Sequence, residues 1–81
     1  LGGQYVEMHH VIPISHQDEF ESSIDIPENI VPLCPNCHRK IHNADEPSID
    51  VMIVNLYTDE FTRGLAHRGI TVTGAKLRSF Y

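Results

Sequence analysis

The sequence has 81 residues, the size of one small domain whose modest core is often supplemented by a metal, a disulfide or a partner. Six basic against eleven acidic residues give a net charge of −5, which argues against a free-standing nucleic-acid binder with a broadly basic surface. No apolar run is long enough to cross a membrane and nothing resembles a signal peptide, so we expect no membrane partner.

The first half of the chain predicts two short strands and a helix. Residues 4–10 are strand-like, and a proline soon after them ends the strand or places it at a sheet edge. The polar and acidic residues 16–27 predict a surface loop, and residues 29–34 predict a second strand. Pro35 suits the first turn of a helix, which we expect to continue over residues 37–43.

The second half predicts helices. Ser48 is a suitable cap for a helix over residues 49–67, Gly69 would end it, and a final short helix is expected over residues 75–81. Apolar residues recur at helical spacing along the long helix and are interpreted as a stripe facing the core, with a homodimer surface as the alternative. The stripe consists of Val51, Val54, Tyr57, Phe61 and Leu65.

The predicted fold class is therefore α+β, with a ββα core at about residues 5–43 and a helical tail at about residues 48–81. We expect residues 1–81 to form one domain. Because the sequence starts at Leu1 rather than at a methionine, we also expect it to be the C-terminal fragment of a longer protein. A basic region upstream, or a bound cation, would offset the acidic balance.

Four of the six histidines lie in two tight clusters. His38 and His42 are four residues apart, so a helix places both imidazoles on one face. His9 and His10 are adjacent on a predicted strand, where successive side chains point to opposite faces. One of them can therefore bind a metal while the other faces a substrate. Either pair taken alone is also compatible with incidental surface histidines.

The combination of the clusters is more specific than either. A His-His-x-x-Pro motif precedes Asn29, and a His-x-x-x-His motif begins nine residues after that asparagine. Three imidazoles and a water suit zinc, nickel or another borderline metal, and a weaker site would take magnesium or manganese. The fourth imidazole, that of His10, would then be available as a base.

Two segments that carry these residues closely resemble the HNH nuclease family, in particular the bacterial restriction-type domains that contain Cys-x-x-Cys. The segments are residues 7–15, Glu-Met-His-His-Val-Ile-Pro-Ile-Ser, and residues 28–42, Glu-Asn-Ile-Val-Pro-Leu-Cys-Pro-Asn-Cys-His-Arg-Lys-Ile-His. The three letters of the family name would fall on His10, Asn29 and His38.

The resemblance implies a ββα-metal (His-Me finger) fold, in which two antiparallel strands and a helix hold one catalytic divalent metal. His9, His38 and His42 would be its ligands, and the metal would be Mg, Mn, Ni or Zn. His10 would be the general base. Asn29 would have a structural role, tying the loop so that His10 is correctly aimed.

The implied function is metal-dependent hydrolysis of phosphodiester bonds in DNA by an endonuclease. Arg39 and Lys40 would either contact phosphate or be simply exposed helix residues. The alternative is a non-catalytic HNH-like zinc-binding module that binds nucleic acid or protein, and the intact His10 favours the nuclease because a binding module needs no free base. A metalloprotease is excluded, because residues 38–42 carry Arg where such an enzyme needs its Glu base.

Cys34 and Cys37 resemble half of the knuckle that many HNH proteins use for a second, structural zinc. Such a site needs four ligands, and this chain has two cysteines. The missing pair would lie upstream of Leu1 or in another chain, or else the two thiols are simply buried. Their spacing is not that of a secreted disulfide scaffold, so we expect a reducing, bacterial-type cytoplasmic setting.

Overall fold

The computed structural model of the protein describes residues 6–43 and 45–81. Its strands are β1 (Glu7–His10) and β2 (Ile30–Leu33), and its helices are α1 (Pro35–Asn43), α2 (Glu46–Leu56), α3 (Asp59–His67) and α4 (Gly74–Ser79). Two short 3-10 helices, Ile14–Glu19 and Pro27–Asn29, lie between the strands. The predicted α+β fold with a ββα core is confirmed. None of the helices in the described ranges is long and apolar enough for a bilayer crossing.

The two strands form an antiparallel sheet in which His9 lies opposite Val31 and His10 opposite Ile30. Helix α1 packs against both strands. Since neighbouring strand residues point to opposite faces, His9 is buried at 3% exposure while His10 is half-buried. The first two residues of the predicted strand, 4 and 5, lie outside the described residues.

The hydrophobic core joins the ββα part to the helices. Helix α2 packs on α1 and α4, and α3 packs on the 3-10 helix that precedes β2. Each buried aliphatic or aromatic side chain contributes roughly 1.5–3 kcal/mol relative to an exposed one. The core residues are Val11, Ile12, Ile24, Ile26, Ile41, Ile49, Ile53, Phe61, Leu65, Ile70, Val72 and Leu77.

The loop predicted over residues 16–27 is more ordered than its composition indicated. Part of it is 3-10 helix, and Ile24 and Ile26 are buried at 0% and 8% exposure. The Gln17 amide binds this loop together, donating to the Ser22 carbonyl and accepting from the Ile24 N–H, each at 2.8 Å. The prediction of a plain surface loop was therefore wrong, because the polar majority masked two core isoleucines.

The single helix predicted over residues 49–67 is two helices. Helix α2 begins at Glu46, before the predicted cap Ser48, and takes Pro47 into its first turn, where the missing N–H of proline costs nothing. The last helix, predicted over residues 75–81, runs over Gly74–Ser79. Helix boundaries thus depend on caps that the sequence offers at several neighbouring positions.

A threonine cap causes the break between α2 and α3. Tyr57 leaves the helical region, with φ −85° and ψ 72°, and the Thr58 hydroxyl accepts a hydrogen bond from the Phe61 N–H at 3.1 Å. Such a cap satisfies an amide that a new helix would otherwise leave without a partner. Gly69, with φ +76°, follows the end of α3 as predicted.

The break also overturns part of the predicted core stripe. Val51 and Val54 are 61% and 72% exposed, whereas Ile49 and Ile53 occupy the buried face of α2. The two stripe residues on α3 are buried as predicted, and Tyr57 is half-buried. The predicted stripe was wrong for α2, because residues at helical spacing on either side of the break lie on two separate helices and need not share one face.

Candidate metal centre

The structure brings His9, His38 and His42 together. His9 lies on β1, and the other two lie on successive turns of α1. One ring nitrogen from each lies within 4.8 Å of the other two, and the ring centroids are 5.2–5.3 Å apart. Since an imidazole nitrogen binds zinc at about 2.0–2.1 Å, three nitrogens this close can reach one ion with small side-chain rotations.

Burial favours the neutral form of His9 and His42. It lowers the pKa of His9 to about 4, with further contributions from the positive charge that His42, His38 and His10 would carry. Burial and His38 also lower the pKa of His42. The neutral imidazole is the form that binds a metal. At pH 7, protons therefore compete little for these two side chains, and the donor set fits a divalent ion.

A carboxylate lies next to one of the three histidines. Glu7 Oε1 is 3.0 Å from His38 Nδ1, which connects β1 to α1. Metal-binding histidines characteristically donate their second ring N–H to such an acceptor. Glu7 was not predicted as a site residue from the sequence, although its position two residues before His9 on a strand places both on one face.

A tyrosine lies next to a second histidine of the cluster, His9. The Tyr81 hydroxyl is 2.8 Å from His9 Nε2 and donates to the Val11 carbonyl at 2.5 Å. Burial raises the pKa of Tyr81, so its hydroxyl keeps its proton. No local sequence signal points to this contact, because 72 positions separate Tyr81 from His9.

His10 lies on the other face of β1 and pairs with an acidic residue. Its Nε2 is 2.8 Å from Asp25 Oδ1, and the Asp25 side chain is 68% exposed. A carboxylate on one ring nitrogen orients the imidazole and leaves the other nitrogen to accept a proton. Asp25 was predicted only as part of a surface loop.

Asn29 is fully buried and joins the two segments that carry this pair. Its Oδ1 accepts from the Ile12 N–H at 2.8 Å, and its Nδ2 donates to the carbonyls of Ile12 and Ile24 at 3.0 and 2.9 Å. Ile12 follows His10 by two positions, and Ile24 directly precedes Asp25. The Asn29 amide thus fixes the relative position of His10 and Asp25.

The four clustered histidines line one cleft of about 190 Å³, together with Met8, Pro13 and Ile14. A larger cavity, about 380 Å³, lies between β2 and the α2–α3 junction and contains no histidine or cysteine. Arg39 and Lys40 are exposed on the outer side of α1 and do not line the histidine cleft. The Arg39 guanidinium donates to Asn36 Oδ1 at 2.6 Å.

The two cysteines lie at the start of α1. Cys34 is exposed, Cys37 is half-buried, and the Cys37 N–H donates to Cys34 Sγ at 3.3 Å. The alternative of two buried thiols is therefore wrong for Cys34. Within the described ranges the pair belongs to no group of three or more metal-ligating side chains. The structural zinc stays a prediction that needs ligands from elsewhere.

Comparison with known proteins places this site in a family. The family model described as HNH endonuclease matches residues 2–44, which is just over half of the 81 residues. Over 58 residues the chain is 45% identical to the Type IV methyl-directed restriction enzyme EcoKMcrA of Escherichia coli (strain K12), a match that covers 68% of this chain and 19% of that enzyme. No solved structure is significantly similar. The chain belongs to the HNH endonuclease family.

Proposed function

We propose that this domain hydrolyses phosphodiester bonds in DNA as the nuclease part of a restriction-type endonuclease. The observation that carries the proposal is the cleft in which His10 lies beside the cluster of His9, His38 and His42. Family membership supports a nuclease, and the printed name of the relative, a methyl-directed restriction enzyme, supports DNA as the substrate. The chain spans 19% of the length of that relative.

The proposed metal ligands are His9, His38 and His42. They offer three nitrogen donors, two of which have a lowered pKa, and this set suits zinc, nickel or cobalt better than magnesium or manganese. A divalent ion held there would act as a Lewis acid that stabilises the negative charge growing on the phosphate and the leaving oxygen.

His10 is the proposed general base. With its Nε2 hydrogen-bonded to Asp25, its Nδ1 accepts a proton from a water molecule, and the resulting hydroxide attacks phosphorus. The bond from phosphorus to the 3′ oxygen then breaks, leaving a 5′-phosphate and a 3′-hydroxyl that takes its proton from solvent. Asp25 stabilises the imidazolium formed in the first step, and its exposure keeps this contribution small.

Asn29 is a positioning residue in this scheme, because it holds the segments of His10 and Asp25 together. Arg39 and Lys40 are proposed phosphate contacts on the exposed side of α1, outside the histidine cleft. Two exposed cations on α1 would partly offset the net charge of −5 where the phosphate backbone approaches.

The test is nicking of supercoiled plasmid with Mg, Mn, Co, Ni or Zn and with an EDTA control. We expect metal-dependent nicking that falls by about 10²–10⁴-fold in His10→Ala, the usual contribution of a general base. Calorimetric metal binding should persist in that variant. His67→Ala removes an exposed histidine from α3 and is the matched control, expected to cut like the parent.

Two results would contradict the proposal. If His10→Ala cut DNA as fast as the parent, His10 would not be the general base. A chain that binds metal but cuts DNA neither alone nor within a longer protein would favour the alternative, a zinc-binding module without catalysis.

A further inference from the structure

We infer that Tyr81 is a positioning residue for the metal centre, because its hydroxyl fixes the proton of His9 on Nε2 and so leaves Nδ1 to bind the metal. The inference deepens the proposed function and rests on its metal site. It assigns a task in the nuclease core to the end of the helical part of the chain, which the family match over residues 2–44 does not reach.

The directions of two hydrogen bonds carry the argument. A carbonyl oxygen only accepts, so the contact of 2.5 Å between the Tyr81 hydroxyl and the Val11 carbonyl uses the single hydroxyl proton. At the contact of 2.8 Å with His9, the tyrosine oxygen must then accept and Nε2 must donate. A neutral imidazole has one N–H, and the nitrogen without a proton is therefore Nδ1.

The same logic gives the opposite result at His38. The Glu7 carboxylate accepts from Nδ1 at 3.0 Å, so Nε2 is the nitrogen that can bind a metal. Two neighbouring ligands thus present different nitrogens, each selected by an acceptor on its far side. Outer partners of this kind are typically worth about 10–100-fold in metal affinity.

The position of Tyr81 is well fixed. Its ring centroid lies 6.0 Å from those of both His9 and His42, while Leu77 of the preceding helix α4 is fully buried. Arg78 forms ion pairs with Asp50 and Glu46 of α2, which attach α4 to the rest of the helical part. A buried His9 held on one side by Tyr81 has little freedom to turn its ring.

The experiment measures Zn²⁺ affinity by competition with a chromophoric chelator in the parent chain, Tyr81→Phe, Tyr57→Phe and His38→Ala. Tyr57 is the matched control, because its hydroxyl also donates to a backbone carbonyl, that of Val72 at 2.8 Å, outside the histidine cluster. We expect Tyr81→Phe to weaken Zn²⁺ binding by about 10–100-fold and Tyr57→Phe to leave it unchanged.

A second measurement observes the tautomer of His9 directly. Long-range ¹H–¹⁵N correlation spectra of the metal-free parent at neutral pH should show His9 as the Nε2–H tautomer, with a slowly exchanging ring proton that Tyr81→Phe loses. A proton on Nδ1 of His9 in the parent would overturn the inference.

The outcomes separate this inference from the proposed function. If His38→Ala abolishes Zn²⁺ binding while Tyr81→Phe binds like the parent, only the role of Tyr81 fails. Equal weakening by the two phenylalanine variants would also overturn it, since the effect would then be general destabilisation. If the parent binds no Zn²⁺, or His38→Ala binds it as well as the parent, the metal centre and the inference fall together.

Discussion

The two parts of the chain differ in whether they bury polar side chains beside the hydrophobic ones. Among the described residues, the buried polar side chains are His9 and Asn29, and both belong to the ββα part. The part from residue 45 onward buries only hydrophobic ones. A buried polar group is costly unless its hydrogen bonds are made, so directional contacts add to hydrophobic packing in fixing the geometry of the ββα part. The helical part depends on apolar area and on shape.

The difference shows that the two parts contribute differently to the metal centre. The ββα part carries the histidines, and the helical part packs against it, because Tyr81 lies next to His9 and α2 packs on α1. The motif alone therefore specifies which residues can bind a metal. The burial of His9, and with it the lowered pKa of this side chain, depends in part on Tyr81, which lies outside the motif.

The largest effect on stability is expected at Asn29. Asn29→Ala removes three hydrogen bonds and leaves the backbone groups of Ile12 and Ile24 without partners in a buried site, a loss of roughly 3 kcal/mol or more in the free energy of unfolding. Urea unfolding of the metal-free chain measures it.

Asn55→Ala is the matched control for Asn29→Ala. Asn55 is exposed on α2, where alanine is a better helix former, so this variant should be as stable as the parent or slightly more stable. If the free energy of unfolding fell equally in the two variants, the buried hydrogen bonds of Asn29 would contribute no special stability to the ββα part.

The next effect is a pH dependence that comes from the ββα part. The pKa of His9 is about 4 when folded, whereas an unfolded histidine titrates near 6.5. Between these values the unfolded chain binds more protons, so the free energy of unfolding decreases as the pH falls. The stability is fully present above pH 6.5, and its loss reaches roughly 3 kcal/mol once the pH is below 4.

The measurement is urea unfolding in EDTA between pH 4 and 7, with two variants beside the parent. His9→Gln should flatten most of the slope, and the residual slope should come from His42 and, near pH 4, from Glu19, because the pKa values of both are lowered. His67→Gln, at an exposed position of α3, should keep the parental slope. An unchanged slope in His9→Gln would show that His9 is not the buried neutral group.

The sequence predicted the ββα part well because its signals are local. The spacing of His38 and His42 on one helix, and the alternation of His9 and His10 on a strand, follow from the periods of the two elements. The structure places three of these histidines together, and their roles stay predictions. Asp25 and Tyr81 were missed because each reaches its partner through a tertiary contact that no period encodes.

The helical part was predicted less well, for a physical reason that Thr58 illustrates. Apolar residues continue at helical spacing through positions 51–65, so periodicity alone favours one helix. The Thr58 cap satisfies the backbone amide of Phe61 at that point, and a new helix axis begins there. Which apolar residues face the core is then decided by how each short helix packs, not by the continuous pattern.

The smallest expected effects test that correction on neighbouring residues of α2. Ile53 is 4% exposed and Val54 72% exposed. Ile53→Val removes one methylene from the core and should lower the free energy of unfolding by about 1 kcal/mol, whereas Val54→Ala removes more atoms and should cost nothing, because alanine favours the helix. Urea unfolding at two protein concentrations gives the answer. A loss in Val54→Ala that grows with protein concentration would mean that a second copy covers this face, the dimer alternative for the stripe.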